Sequence, residues 1–449
     1  MGAFHAYDIR GVYNQDFDAE TAYKVGFFLT KLIPSKYIVV GRDIRLSSDE
    51  IFSNLTKGIN DAGVDVWDIG LATTPLVYFA TVELDADASV QITASHNPKQ
   101  YNGMKISRKK AIPVGGDSGL KELEQLVNTE TVVPVSPEKR GKIVKKDIYD
   151  KYVEFQKKYL PDLSELNLTI DCSNGMSALF AHRIFSDAEN IHYINDNLDG
   201  SFPNHEPNPL EEKNCRQLEE AVLKNGSDCG IIFDGDADRV IFVDEKGRFI
   251  QPDFTTSIIG DYYLEREKGS IYVDVRTSRS TTEYLEKRGA TEVIIWKVGH
   301  AFAKTKIREK GCIFGGELAG HYYFRDFHFC DSGIFSSLLV LQTVLKLKKE
   351  GLSLGSFIDK LVVYANSGEI NFRLDRKDEC IEEIRRVYSS RKPDRILDFD
   401  GYRIEFPSWW FSVRKSNTEP YLRLIVEAAT KEELDTRMAE LKAIIAQFS

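Results

Sequence analysis

Short β-branched runs alternate with longer amphipathic stretches through most of the chain. YIVVGRD (37–43) is an apolar run that ends in Gly-Arg-Asp. The stretch SSDEIFSNLTKGINDAG has helical spacing. Ser48 stands at its start as the predicted cap, acids fill its first turn and Gly63 ends it. VDVWDIG follows as a strand, which completes a βαβ unit. The pattern returns twice. LTIDCSNG (168–175) predicts a strand and a polar loop before a helix over MSALFAHRIFSDA. SIYVDVRTSRSTTEYLEKRGA (270–290) predicts strand, loop and helix before the strand VIIWKVG. Each unit sets Asp with Arg or Ser on the loop behind its strand. The period is roughly 100–120 residues, a domain rather than a solenoid repeat.

Polar, charged or Pro-containing stretches at 127–147, 244–254 and 365–375 interrupt this rhythm. Beyond the last, short strands alternate with two charged helical segments, KDECIEEIRRVYSS and TKEELDTRMAELKAIIAQF. The expected fold is α/β. Three similar α/β domains with mixed sheets cover 1–147, 148–250 and 251–366, and a smaller α+β domain covers 367–449. A length of 449 residues, well beyond one ordinary core, agrees with several domains.

Composition narrows the function class. With 42% hydrophobic and 29% charged residues the chain reads as globular and soluble. No apolar run is long enough to span a membrane. MGAFHAYDIRG at the start has neither the basic nor the apolar part of a secretory signal, and Ala6 stands where myristoylation prefers Ser or Thr. The six cysteines show no CxxC pair and no metal spacing, so they read as reduced, mostly buried thiols of a cytoplasmic protein. A net charge of −10 argues against nucleic acid as a partner. Basic ligands for an anionic substrate must then be locally concentrated.

Five stretches carry candidate chemistry. In VQITASHNPKQYNGMKI (90–106), a strand stops at Thr93 and Ser95 and His96 follow on a loop that Asn97-Pro98 keeps irregular. On these residues alone an ordinary turn and a nucleophile loop both stand. In IIFDGDADRVIFV, Asp234, Asp236 and Asp238 alternate, and such carboxylates repel one another unless a cation sits among them. An EF-hand is excluded because its sixth position would be Arg239 and the flanks read as strands. In FGGELAGHYYFRD (314–326), Glu317 and His321 sit four apart in a glycine-rich loop, a pairing suited to sugar hydroxyls. In VRKSNTEPYLRL (413–424), Arg414, Lys415 and Arg423 combine with Ser416, Asn417 and Thr418 as a phosphate cradle would. In AYDIRG (6–11), Arg10 before Gly11 could reach an anion.

Taken in order, TASHNP at 93–98, DGDADR at 234–239, GELAGH at 316–321 and RKSNTEP at 414–420 resemble the motifs of the α-D-phosphohexomutase superfamily, most closely its phosphomannomutase/phosphoglucomutase group. AYDIRG and PNHEPNP (203–209) also look familial, so the resemblance covers nearly the whole chain. It implies an isomerase of carbohydrate metabolism with four domains around a central cleft, one signature loop from each. Such an enzyme interconverts hexose 6-phosphate and hexose 1-phosphate, of mannose or glucose, with the hexose phosphates as partners. By the resemblance Ser95 is the catalytic phosphoserine, primed by a hexose 1,6-bisphosphate. Mg²⁺ is held by Asp234, Asp236, Asp238 and an oxygen on Ser95. Arg10, His96 and Arg239 supply positive charge, and Lys105 and His300 are the candidate proton carriers, with an ordinary anion ligand as the other reading of each, of Lys105 above all. A lysine serves as a base only where surrounding cations lower its pKa. Substrate contacts fall on Tyr7, Arg276, Glu317, Ala319 and His321, and on the loop of Arg414, Ser416, Asn417, Thr418 and Arg423. The expected assembly is a monomer or homodimer.

Three departures stand out. Ala319 replaces a common Ser in the sugar loop, Arg276 a common Lys, and His5 a common Lys or Arg. The phrase HYYFRDFHFCDSG leans towards mannose-directed relatives, by analogy. A glucosamine-phosphate mutase would use the same machinery on an amino sugar. A non-catalytic sugar-phosphate-binding regulator would be expected to lack the catalytic residues. A serine hydrolase would need a nucleophile elbow, and there is no G-x-S-x-G.

Overall fold

The computed structural model describes residues 2–416 and 421–448. Four sheets carry the chain. In the first, Asp65–Leu71, Tyr37–Arg42 and Ala88–Ile92 run parallel, and Tyr101–Arg108 and Ile9–Val12 add antiparallel at one side. In the second, Ile191–Ile194, Leu168–Asp171 and Cys229–Phe233 are parallel, and Val240–Asp244 is antiparallel. In the third, Glu292–Trp296, Ser270–Asp274 and Phe314–Gly316 are parallel, and Tyr322–Phe324 is antiparallel. The sheets are therefore mixed, with helices packed on them, as the alternation of patterns predicts. The fourth sheet is antiparallel throughout, with Tyr421–Ala428 beside Trp409–Lys415.

This arrangement gives the sequence motifs one common address. TASHNP follows Ala88–Ile92 and precedes Tyr101–Arg108. DGDADR joins Cys229–Phe233 to Val240–Asp244, and the Glu317–His321 loop joins Phe314–Gly316 to Tyr322–Phe324. The fourth loop leaves Trp409–Lys415 and returns as Tyr421–Ala428. The first three motifs are thus turns of antiparallel hairpins, and the strands that flank the fourth pair antiparallel. The repeat legible in the sequence marks other loops, those behind Tyr37–Arg42, Leu168–Asp171 and Ser270–Asp274.

Burial fixes how the sheets meet. One apolar cluster runs from Leu76 and Phe79 through Tyr152, Phe180 and Phe233 to Phe324, Phe335 and Leu338, so the first three sheets share a continuous core. Helix Gly333–Lys349 sits within it and is buried on most of its circumference, which explains its nearly unbroken apolar sequence. The C-terminal sheet has its own cluster around Tyr388, Phe411 and Leu441. All six cysteines are free and buried, as expected. Among the described residues no helix is long and apolar enough to cross a membrane.

Two local expectations need correction. Ser48 is the first helical residue and Ser47 the cap position; the Ser48 hydroxyl instead donates to Asp43 at 2.5 Å. The segment behind LTIDCSNG is not one helix. It forms a 3-10 turn over Met176–Leu179 and a short helix over Ala181–Phe185. There the Met176 N–H donates to the Gly235 carbonyl at 2.9 Å, a tertiary bond that periodicity does not record.

Candidate active site

Ser95 is buried, with φ at +52°, a left-handed conformation that a non-glycine residue adopts only where its surroundings hold it. The Ser95 N–H donates to Thr93 Oγ1 at 2.9 Å. The larger restraint is Arg45, which sequence reading missed. Its guanidinium donates to the carbonyls of Ser95 and Asn97 at 2.7 Å, of Pro98 at 2.9 Å and of Tyr101 at 3.1 Å. Asp43 holds the Arg45 side chain from behind at 3.1 Å. One buried cation therefore sets the loop's shape. The adjoining loop comes equally close, because a Cβ on Gly235 would lie 2.5 Å from the Ser95 carbonyl oxygen. Only glycine permits that approach.

As a result Ser95 Oγ donates to Asp234 Oδ2 at 3.0 Å, and His96 Nδ1 lies 3.3 Å from Ser95 Oγ. Arg10 pairs with Asp8 and donates to Asn97 Oδ1 at 2.8 Å, which places its charge beside the loop. His5 bonds the Arg10 carbonyl at 2.9 Å, a backbone contact rather than a charged one. Burial, then the charges of Arg239, Arg10 and Lys105, push the His96 imidazolium well below its ordinary pKa, so the ring is neutral at pH 7.

The three aspartates are buried, and oxygens from all three lie within 4.8 Å of one another. Lys105 Nζ pairs with Asp236 Oδ2 at 2.7 Å and with Asp238 Oδ2 at 2.6 Å. Thr74 Oγ1 donates to Asp236 Oδ2 at 2.5 Å. Asp236 Oδ1 and Asp238 Oδ1 are buried without a hydrogen-bond partner among the described residues. Burial, with the neighbouring charges of Asp236 and Asp238, holds the Asp234 carboxyl well above its ordinary value. Hard oxygen donors, two of them orphaned, in a site still short of positive charge fit a hard divalent cation. For the lysine the surrounding charges favour the ligand reading over the base. Burial disfavours its charge, but Asp236 and Asp238 outweigh burial and raise its pKa. In this setting Lys105 is a charged donor.

Arg239 and His321 join the second and third sheets by an isolated bridge, and Arg239 Nε donates to His321 Nε2 at 2.9 Å. On its other side His321 Nδ1 lies 2.7 Å from Asp331 Oδ2, and Asp331 Oδ1 lies 2.7 Å from Lys304 Nζ. Lys304 and Asp331 are both fully buried, and Lys304 also covers the Tyr78 ring at 3.7 Å. Sequence reading missed this pair. Asp331 lies in FCDSG and Lys304 on helix His300–Lys310, and neither belongs to a signature motif. Together they fix the ring of His321 and hence the guanidinium of Arg239.

Glu317 is buried; its Oε1 accepts from the Gly299 N–H at 2.7 Å and its Oε2 from Tyr323 at 2.5 Å. Ala319 lies half-buried on the same loop. His300 begins helix His300–Lys310. Its ring centroid is 5.5 Å from Tyr7 and 6.1 Å from His321, and its buried Nε2 has no partner among the described residues. Burial and Lys304 keep His300 well below its ordinary pKa. Tyr7 donates to the Val298 carbonyl at 3.3 Å, which ties the first domain to this loop.

Arg276, Arg414 and Arg423 form a second group. Arg276 is gripped by Asp274 at 2.7 Å, and the same Asp274 Oδ2 accepts from the Leu318 N–H at 2.7 Å. All three guanidiniums point at Glu369. Ser416 closes the hairpin with its N–H on the Tyr421 carbonyl at 2.9 Å. Asn417 and Thr418 lie outside the described residues. The Glu317 loop, through Leu318 and Asp274, connects this arginine group to the Ser95 centre.

Models of the four domains of the phosphoglucomutase/phosphomannomutase family match the chain. Alpha/beta/alpha domains I, II and III match residues 1–133, 150–247 and 251–362, and the C-terminal domain matches 369–444. The chain is 38% identical to a phosphomannomutase of Escherichia coli strain K12 and 37% to one of Salmonella montevideo. Each match spans 438 residues and covers 95% of both chains. A crystal structure of a phosphoglucomutase/phosphomannomutase family protein from Burkholderia thailandensis superimposes with a TM-score of 0.89 at 29% identity. It covers 99% of this chain and 96% of that one. With all four domains matched in order, the chain belongs to the phosphoglucomutase/phosphomannomutase family, whose members are intramolecular phosphotransferases acting on sugar phosphates.

Proposed function

We propose that the chain interconverts mannose 6-phosphate and mannose 1-phosphate, and the corresponding glucose phosphates, through a phosphoserine at Ser95 and a hexose 1,6-bisphosphate. The observation that carries this reading is the Ser95 hydroxyl, 3.0 Å from Asp234 within a buried ring of carboxylates and cations. The mannose assignment rests on relatives named phosphomannomutase.

In the forward half-reaction a sugar hydroxyl oxygen bonds to phosphorus as the bond from Ser95 Oγ breaks, and the hydroxyl proton leaves to a base. The bisphosphate then turns, and its other phosphoryl group returns to Ser95. A hard divalent cation such as Mg²⁺, held by Asp234, Asp236, Asp238 and a Ser95 oxygen, would neutralise charge on the transferring group. Arg10 and Arg239 add fixed positive charge beside Ser95, already oriented before reaction. Lys105 acts as an ammonium donor to the same oxygens. His300 is the proton acceptor, since its ring is neutral and its Nε2 is unengaged. Glu317 binds sugar hydroxyls through its remaining lone pairs, His321 holds Arg239 beside them, and Arg276, Arg414, Ser416, Asn417, Thr418 and Arg423 hold the phosphate that is not reacting.

The deciding experiment is an activity panel of mannose, glucose and glucosamine phosphates with hexose 1,6-bisphosphate present. Turnover of mannose and glucose phosphates is expected. Activity on glucosamine phosphate alone would transfer the assignment to the amino sugars, and binding without turnover would make the chain a regulator. In the same panel Ala319→Ser should change the mannose-to-glucose ratio by no more than about tenfold, the worth of one ordinary hydrogen bond.

Arg414→Ala tests the second phosphate site. Arg414 is almost fully buried, and its Nε has no partner among the described residues. Its loss removes a charge-assisted contact worth roughly 1.5–3 kcal/mol. Both directions should slow. Bisphosphate should escape more often, so the variant should need more added bisphosphate to sustain turnover. Labelled bisphosphate released per turnover measures this, and values equal to the parent's would move the site away from Arg414.

A further inference from the structure

Arg414 and Arg423 face each other directly across two neighbouring strands. Like charges in that register repel, and Arg276 brings a third guanidinium from the next domain. The Glu369 carboxylate touches all three. Glu369 Oε1 is 2.9 Å from Arg423 Nη1, and its Oε2 is 3.4 Å from both Arg276 Nη1 and Arg414 Nη2. Glu369 lies just ahead of strand Ile370–Arg373, which pairs with Tyr421–Ala428.

The fit is incomplete. Two contacts are long, Arg414 receives one of them, and its buried Nε stays unpartnered among the described residues. A carboxylate offers two oxygens and one charge, whereas a phosphate dianion offers more of each. Asp274 already grips Arg276 through contacts at 2.7 and 3.1 Å. The Glu369 side chain is 19% exposed, so it has a way out to solvent.

Resting on the phosphate site assigned above, we propose that Glu369 is a built-in competing anion, seated where the non-reacting phosphate binds and displaced by it. While the seat is empty of phosphate, the carboxylate keeps three arginines from repelling one another. During turnover it lowers the hold on the phosphate, so that a bisphosphate can leave in one orientation and return in the other. Burial opposes the charge of Glu369, but the three guanidiniums prevail and take its pKa down to about 2. The competing charge is thus constant across the working pH range.

The test is Glu369→Gln, which keeps the size and removes the charge, with inorganic phosphate as the probe. Calorimetry should find phosphate bound about tenfold more tightly than by the parent, the scale expected for removing one competing charge in a partly buried site. The gain should vanish in the double variant with Arg414→Ala. In phosphate-free buffer Glu369→Gln should melt below the parent, and phosphate should restore it more than it raises the parent. In steady state the KM for hexose phosphate and kcat should both fall, because the bisphosphate is released too slowly to turn. Unchanged or weaker phosphate binding, or a lowered melting temperature that phosphate does not recover, would make Glu369 a structural staple and overturn the proposal. Calorimetry and melting need no turnover. A parent inactive on every hexose phosphate would therefore sink the mutase reading and the kinetic half of this proposal, with the anion seat still decided by binding.

Discussion

Ser95→Ala is expected to abolish mutase turnover, by about 10⁴-fold or more, the scale on which loss of a catalytic nucleophile is felt. The substitution removes one oxygen and keeps the Cβ, so the cost of the left-handed backbone at Ser95 is little changed. Arg45 continues to hold the carbonyls of Ser95 and Asn97, and Asp234 still accepts from the Arg239 N–H at 3.2 Å. The stability loss should therefore stay near 1–2 kcal/mol, roughly that of one buried hydrogen bond. A coupled assay in both directions gives the rate. Intact mass after incubation with hexose 1,6-bisphosphate should show one added phosphoryl group on the parent and none on the variant. Substantial turnover in rigorously purified Ser95→Ala protein would end the phosphoserine reading.

Asp236→Asn should have the second largest effect. In the parent, Oδ2 is taken by Lys105 and Thr74, and Oδ1 is left unpartnered. Both neighbours donate, so an asparagine must turn its carbonyl towards them. That leaves its NH₂ in the place of Oδ1, where a donor cannot ligate a cation. Mg²⁺ affinity should fall, and turnover should drop by about 10²–10³-fold, the usual price of losing one preorganised electrostatic contact. Titration calorimetry with Mg²⁺ reads the first effect and the coupled assay the second. Full activity of the parent in chelator, with metal verified absent, would refute the metal assignment.

Much of the site was legible because each signature is contiguous. A hairpin turn that presents chemistry must hold its special backbone and its functional groups within a few residues, so the signal survives in one dimension. Ser95 with His96, the three alternating aspartates and the Glu317 loop could each be singled out in this way. The groups that support them are distant in sequence. Arg45 reaches the Ser95 loop across 50 residues, and Lys105 reaches Asp238 across 133. Arg45 lies in no candidate stretch, and Glu369 lies in 365–375, where composition marks a domain edge rather than a site. The condition attached to Lys105 as a base, nearby cations, was reasonable from local charge. It is not met because two carboxylates of another sheet sit closer.

The sequence by itself determined the layered α/β architecture, the separate texture of the C-terminal part, the buried thiols and the family. These follow from periodicity, composition and short motifs, all properties of neighbouring residues. Only the tertiary structure decided which groups face one another. It made the first three sheets share one core, so that three hairpin turns are brought into contact. It left the helix predicted behind LTIDCSNG in two short pieces that meet at Phe180, and it tied the first of them to the Gly235 carbonyl. It set Lys304 and Asp331 behind His321, and it placed one glutamate among three arginines from two domains. Charge and burial act through space, and a pairing across 50 or 100 residues leaves no periodic trace in the chain that makes it.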